Sequence, residues 1–92
     1  MVSAVVLLSL KRDKINEVAE RLVDLEGVTE VYSVAGQYDL VVMIRARNDE
    51  QIASLVTENL LQVDGLISSE TLIAFRTFSR HDLDGLFSVG LD

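Results

Sequence analysis

A chain of 92 residues can close one hydrophobic core and not two. Hydrophobic residues make up 49% and charged ones 25%, which excludes a disordered tail, and 15 acidic against 8 basic residues give a net charge of -7 that repels nucleic-acid phosphates. The longest apolar stretches, Ala4 to Leu8 and Leu40 to Ile44, hold five residues each, against roughly 20 for a membrane-crossing helix.

Lys11 and Arg12 follow the first apolar run instead of preceding it, so no secretory signal is expected and a cytoplasmic address is the default. The absence of cysteine excludes disulfides, thiolate metal sites and redox motifs.

In chain order, Val2 to Leu10 (VSAVVLLSL) is short, rich in valine and leucine and nearly continuous in apolar character, as in a strand buried on both faces. From Asp13 the period changes. Ile15, Val18, Ala19, Leu22 and Val23 recur at spacings of three and four, which predicts an amphipathic helix with Asp13 as its N-cap. Lys11, Arg12 and Lys14 are the one basic cluster and read as a solvated helix start. Gly27 stops the helix, because glycine closes a helix in the left-handed conformation at little cost.

Val28 to Ala35 (VTEVYSVA) and Tyr38 to Arg45 (YDLVVMIR), joined through Gly36-Gln37, predict an antiparallel hairpin. Asn48 followed by Gln51 is a capping box for a second helix, whose inner face carries Ile52, Leu55, Val56, Leu60 and Val63 up to a stop at Gly65. Glu70 to Phe78 (ETLIAFRTF) is expected as the fourth strand, with Ile73 and Phe75 on one side and Leu72, Ala74 and Phe78 on the other. A short closing helix is expected at about 80–87, capped by Ser79, within a single domain spanning 1–92.

LVDLEGV (Leu22 to Val28) aligns with LLQVDGL (Leu60 to Leu66) at a constant offset of 38, a faint internal repeat of helix, stop and strand. The fold class follows: α+β, a ferredoxin-like βαββαβ sandwich with a four-stranded antiparallel sheet and two helices on one face. The other face should be polar if it met water. Instead Leu40, Val42 and Ile44 oppose Val41 and Met43, and Ala4, Val6 and Leu8 oppose Val5 and Leu7, so both faces are apolar. Because large apolar patches are rarely left bare, a homodimer built sheet against sheet about a two-fold axis is expected.

Groups able to carry catalysis are few: no cysteine, one histidine, and carboxylates mostly on helix faces. No enzyme activity and no cofactor are expected. Ser79-Arg80-His81-Asp82 cannot form a relay among adjacent residues, and a capping box leading into Leu83, Leu86 and Phe87 explains the same letters. A lone His81 without ligand spacing predicts no metal site. Gly36-Gln37-Tyr38-Asp39 admits two readings. In one, Gly36 supplies a positive φ or a bulge and Asp39 bonds nearby amides. In the other, loop amides grip a carboxylate while Asp39 meets an ammonium group, as recognition of a free amino acid requires.

The Gly36-Gln37-Tyr38-Asp39 hairpin leading into LVVMIRA, with a second helix ending in Val63-Asp64-Gly65-Leu66 before Ser69-Glu70-Thr71, resembles the ligand-binding (RAM) domain of Lrp/AsnC transcription regulators. The resemblance covers about residues 2 to 78, and the tail Ala74 to Leu83 resembles short members consisting of this domain alone. It implies an amino acid or related effector lying between dimers against Gly36, Tyr38 and Asp39, with Gln37 contributing backbone and Thr71 contributing from the fourth strand. It also implies rings of dimers such as octamers or decamers, and co-assembly with full-length Lrp/AsnC regulators, through which the chain would modulate transcription without touching DNA. The chain begins at the first sensing strand and lacks the helix-turn-helix of full-length regulators, so the stand-alone form is expected.

Two rivals share the topology. An ACT-like regulatory domain resembles a glycine-bearing turn after the first strand, and Leu10-Lys11-Arg12-Asp13 has none. A small dimeric α/β-barrel enzyme would line its sheet with histidine, asparagine or tryptophan, where this sequence places aliphatic residues. An RNA-recognition module would expose aromatics at the central positions held by Val5, Leu7, Val41 and Met43.

Overall fold

The β-branched and leucine-rich segment Val2–Leu10 forms strand β1 over the span expected for it, in a computed structural model that describes residues 1–78 and Arg80. The chain continues through helix α1 (Ile15–Val23), strands β2 (Val28–Ser33) and β3 (Leu40–Ala46), helix α2 (Asp49–Glu58) and strand β4 (Leu66–Ile73). The four strands form one antiparallel sheet in the order β2-β3-β1-β4. This is the expected ferredoxin-like topology, in which each helix connects two parallel, non-adjacent strands. No helix among the described residues is long and apolar enough to cross a membrane.

Alternation along β1 and β3 sets the layers. Ala4, Val6, Leu8 and Leu10 of β1 and Leu40, Val42, Ile44 and Ala46 of β3 are buried beneath the helices, where they meet Val18 and Leu22 of α1 and Ile52, Leu55 and Val56 of α2. Leu60, on a 3-10 turn at Leu60–Gln62, completes this core, while Val63 packs at its margin. The intervening residues Val5, Leu7, Val41 and Met43 face away from the helices and are half-buried.

Of the three helix starts expected from capping, two lie within the described residues, and one of these forms that way. Asn48 Oδ1 accepts from the Gln51 amide at 2.9 Å, and Gln51 Oε1 accepts in return from the Arg47 amide at 2.7 Å, one residue before the reciprocal partner of a standard capping box. Asp13 does not cap α1. It lies inside a 3-10 turn, Arg12–Lys14, and α1 begins at Ile15 with Lys14 in the cap position and no side-chain cap bond. The tighter turn uses the Lys11 carbonyl, which accepts from the Lys14 amide at 2.9 Å, so the turn needs no side-chain acceptor.

The two repeat glycines are structurally equivalent. Gly27 and Gly65 both have positive φ, 99° and 86°, and each turns the chain from a helical segment into a strand. The Gly27 carbonyl accepts from the Arg45 amide at 2.8 Å, and the Gly65 carbonyl accepts from the Lys11 amide at 2.9 Å. Each glycine thus binds the other repeat, Gly27 near the end of β3 and Gly65 at the residue that follows β1.

The fourth strand is displaced from its expected position. It runs Leu66–Ile73 rather than 70–78, and Phe75 and Phe78 lie beyond it, fully and 82% exposed. Being an edge strand with most of its side chains exposed, β4 is built from ISSET, a polar run that carries little strand signature. β2 and β3 are also shorter toward the hairpin than expected, ending at Ser33 and resuming at Leu40. The expected helix at about 80–87, with Ser79, His81, Asp82, Leu83, Leu86 and Phe87, lies outside the described residues apart from Arg80.

Candidate functional site at the hairpin end of the sheet

Strand register defines what shares the helix-free face. Leu7 stands opposite Val41 on one side and Glu70 on the other, with Tyr32 beyond Val41; Val5 stands between Met43 and Leu72, with Glu30 beyond Met43. The centre of this face is therefore aliphatic, and each outer strand adds one carboxylate. A register shift between Val28 and Glu30 marks a bulge in β2, where the Thr29 hydroxyl donates to the Met43 carbonyl at 3.2 Å.

The connection from Ser33 to Leu40 closes the sheet at the end where β1 finishes. The Val34 amide donates to the Asp39 carbonyl at 3.0 Å, and the Asp39 amide donates to the Leu8 carbonyl at 2.8 Å. The β1–β3 ladder stops at Leu8 and Leu40, and β1 slips against β4 between Ser9 and Leu10. That irregularity would orphan the buried Leu10 amide. Asp39 prevents it: its Oδ2 accepts from the Leu10 amide at 2.8 Å. Of the two sequence readings, the one in which Asp39 bonds backbone amides is thus realised, although the amide belongs to another strand.

Gly36 has φ +148° and open space where a side chain would lie, so the positive φ expected of it is present. Among the described residues, no hydrogen bond engages the amides of Ala35, Gly36, Gln37 or Tyr38. Tyr38 reaches from the hairpin to β4, where its hydroxyl donates to Glu70 Oε1 at 2.9 Å. This bond, with lesser contributions from burial and the carboxylate charge, raises the Tyr38 pKa above the ordinary tyrosine value. Sequence reasoning places Glu70 at the start of a strand and gives it no role. Its position opposite Leu7, on an otherwise uncharged row, is the signal that singles it out.

Gly36, Gln37, Tyr38 and Asp39 come together as one loop against the end of β1, and Glu70 joins them. Thr71 does not share that face. It stands opposite Val6 in the register and so belongs to the helix side of β4. Two concavities lie elsewhere. One of about 250 Å³ is bordered by Gly27, Arg45, Arg47 and Gln51, and one of about 480 Å³ by Ser3, Val5, Glu30, Met43 and Thr77; neither is lined by the hairpin.

Residues 3–83 match the model of the Lrp/AsnC ligand binding domain. The HTH-type transcriptional regulator FL11 of Pyrococcus abyssi is 36% identical over 74 residues, covering 80% of this chain and 48% of that protein. An uncharacterised HTH-type transcriptional regulator of Pyrococcus furiosus, PF0250, is 38% identical over 61 residues, covering 66% of this chain and 41% of that protein. The chain thus spans less than half the length of these curated relatives. The crystal structure of TTHA0845 from Thermus thermophilus superposes with a TM-score of 0.82 at 38% identity, covering 87% of this chain and all of that one. Escherichia coli AsnC, at 23% identity and a TM-score of 0.78 over 86% of this chain and 54% of its own, shares the fold. By the family match over nearly its whole length and by these relatives, the chain belongs to the Lrp/AsnC family through its ligand-binding domain.

Proposed function

We propose that this chain is a self-associating, amino-acid-sensing regulatory module and not a catalyst. The observation that carries the proposal is the helix-free face, whose centre of Val5, Leu7, Val41 and Met43 is aliphatic and whose flanks expose Tyr32 and Leu72. A second copy related by two-fold symmetry covers that face with the same residues, giving a homodimer. Dimers assemble further into rings such as octamers or decamers.

The effector lies at the hairpin between copies, its carboxylate on the loop amides around Gly36 and Gln37 and its body against Tyr38 and Asp39. Two observations support this placement: those amides have no hydrogen-bond partner among the described residues, and the hairpin lines neither of the two concavities described above. The second wall is then supplied by another copy. Thr71, on the helix side of the β4 edge, contacts an effector that wraps that edge. Because the curated relatives are transcriptional regulators, the module acts on transcription in the cytoplasm through full-length Lrp/AsnC partners.

The assembly is tested by sedimentation equilibrium of the wild type and Leu7→Lys. A dimer or larger species that the substitution converts to a folded monomer is expected, and a wild type that is monomeric at micromolar concentration overturns the proposal. Sensing is tested by a thermal-shift screen of free amino acids, in which binding to the folded state raises the midpoint. No shift with any of them overturns the sensing role.

A further inference from the structure

We infer that Glu70, and not Asp39, reads a positive charge on the effector, and that the effector carries that charge at the far end of its side chain, as lysine does. The inference rests on the hairpin reading given above and refines it.

The two carboxylates differ in what already occupies them. Asp39 commits Oδ2 to the Leu10 amide, a bond that holds the sheet end together. Among the described residues Glu70 bonds only a tyrosine hydroxyl, a neutral donor that satisfies one of about four acceptor sites on a carboxylate. An edge-strand glutamate that merely discourages aggregation would extend freely into solvent. Glu70 is instead tied by Tyr38 to a loop 32 residues away in sequence.

Once a second copy covers the face, the surroundings of Glu70 change. A carboxylate moved out of water needs a cation. Among the strand residues of that face Arg45 is the one cation, opposite Ser3, whereas Glu70 is opposite Leu7. Four residues of strand separate the two rows, about 13 Å. Ser9 and Ser68, paired across β1 and β4, continue the same face toward the hairpin with hydroxyls and no charge. Among the described residues no salt bridge engages Glu70, so the site holds a negative charge without a paired cation.

Distance decides which group of the effector can reach that charge. The length of the Tyr38 side chain separates the Tyr38 backbone from the Glu70 carboxylate, which its hydroxyl meets at 2.9 Å. The ammonium and carboxylate of an α-amino acid share one carbon, so a ligand whose carboxylate sits on the loop amides cannot place its α-ammonium at Glu70. A cation at the end of an unbranched side chain can span that gap. Tyr38 acts as a positioning residue that keeps Glu70 turned toward the loop.

The test is titration calorimetry of L-lysine and of L-norleucine, its uncharged analogue, with the wild type, Glu70→Gln and Tyr38→Phe, alongside sedimentation of each. The wild type is expected to bind lysine at least tenfold more tightly than norleucine. Glu70→Gln is expected to abolish that preference while norleucine affinity stays within twofold, and Tyr38→Phe to reduce it. Equal affinity for the two ligands in the wild type, or an undiminished preference in Glu70→Gln, overturns the inference and leaves the hairpin reading standing. If Glu70→Gln instead dissociates the assembly with the preference intact, Glu70 is an intersubunit contact and the inference is likewise overturned. Absence of binding by any free amino acid removes the hairpin reading itself.

Discussion

The Leu10 amide donates to the Asp39 carboxylate at 2.8 Å, so a loop residue closes the end of a strand that lies 29 positions earlier in the chain. A loop acid can therefore be structural even where a ligand is expected. Asp39→Ala leaves the Leu10 amide without its acceptor, and a hydrogen bond to a charged group contributes about 1.5–3 kcal/mol. Urea denaturation should show a loss of that order for Asp39→Ala and a smaller one for Asp39→Asn, which keeps an acceptor oxygen. Wild-type stability in the alanine variant would show that the bond contributes nothing. Any ligand-induced shift in this variant must accordingly be measured from its own lowered midpoint.

Glycine substitutions should separate backbone strain from steric conflict. A Cβ at Gly65 would lie 2.7 Å from Lys14 Cγ, whose ammonium pairs with Asp64 at 3.1 Å, whereas a Cβ at Gly36 would meet nothing within 4 Å. Both positions have positive φ, which costs a residue with a side chain about 1–2 kcal/mol. Gly36→Ala should show only that cost in chemical denaturation, while Gly65→Ala should show more and should also displace Lys14. Equal losses would contradict the steric account.

The tyrosines give a pH dependence whose sign is determined. Tyr38 is raised by its hydrogen bond to Glu70, and Tyr32 by hydrogen bonding to Glu30 and that carboxylate's charge. A raised tyrosine pKa means that the fold favours the neutral hydroxyl. The stabilisation is complete below the ordinary tyrosine value of about 10 and is lost as pH climbs through the higher folded value. Absorbance titration of tyrosinate should place both midpoints above those of the unfolded chain, and Tyr38→Phe should remove one of them. A Tyr38 midpoint at or below the unfolded value would show that the bond to Glu70 is not maintained in solution.

Much of the fold is legible because β1 and β3 alternate two different apolar sets, and because Asn48 with Gln51 and the paired glycines mark ends by local chemistry. What the letters conceal shares one physical cause. β4 is an edge strand, and Ile67, Ser68, Ser69, Glu70 and Thr71 need not be apolar because most of that strand is exposed. The aromatic Phe75 and Phe78 draw the expected strand toward themselves, yet neither is covered within the described residues. At the site, the hairpin is legible from its glycine and acid, whereas Glu70 is not, since its partnership with Tyr38 exists only once β4 lies beside β1 in register.

The crossed bonds of Gly27 and Gly65 bear on how the domain comes apart. Each half of the repeat is fastened at a junction that the other half creates, Arg45 for one and Lys11 for the other. Severing the chain in the hairpin between Gly36 and Gln37 should thus yield two fragments that are unstructured alone and regain structure on mixing, the two units behaving as a clasp that opens all at once.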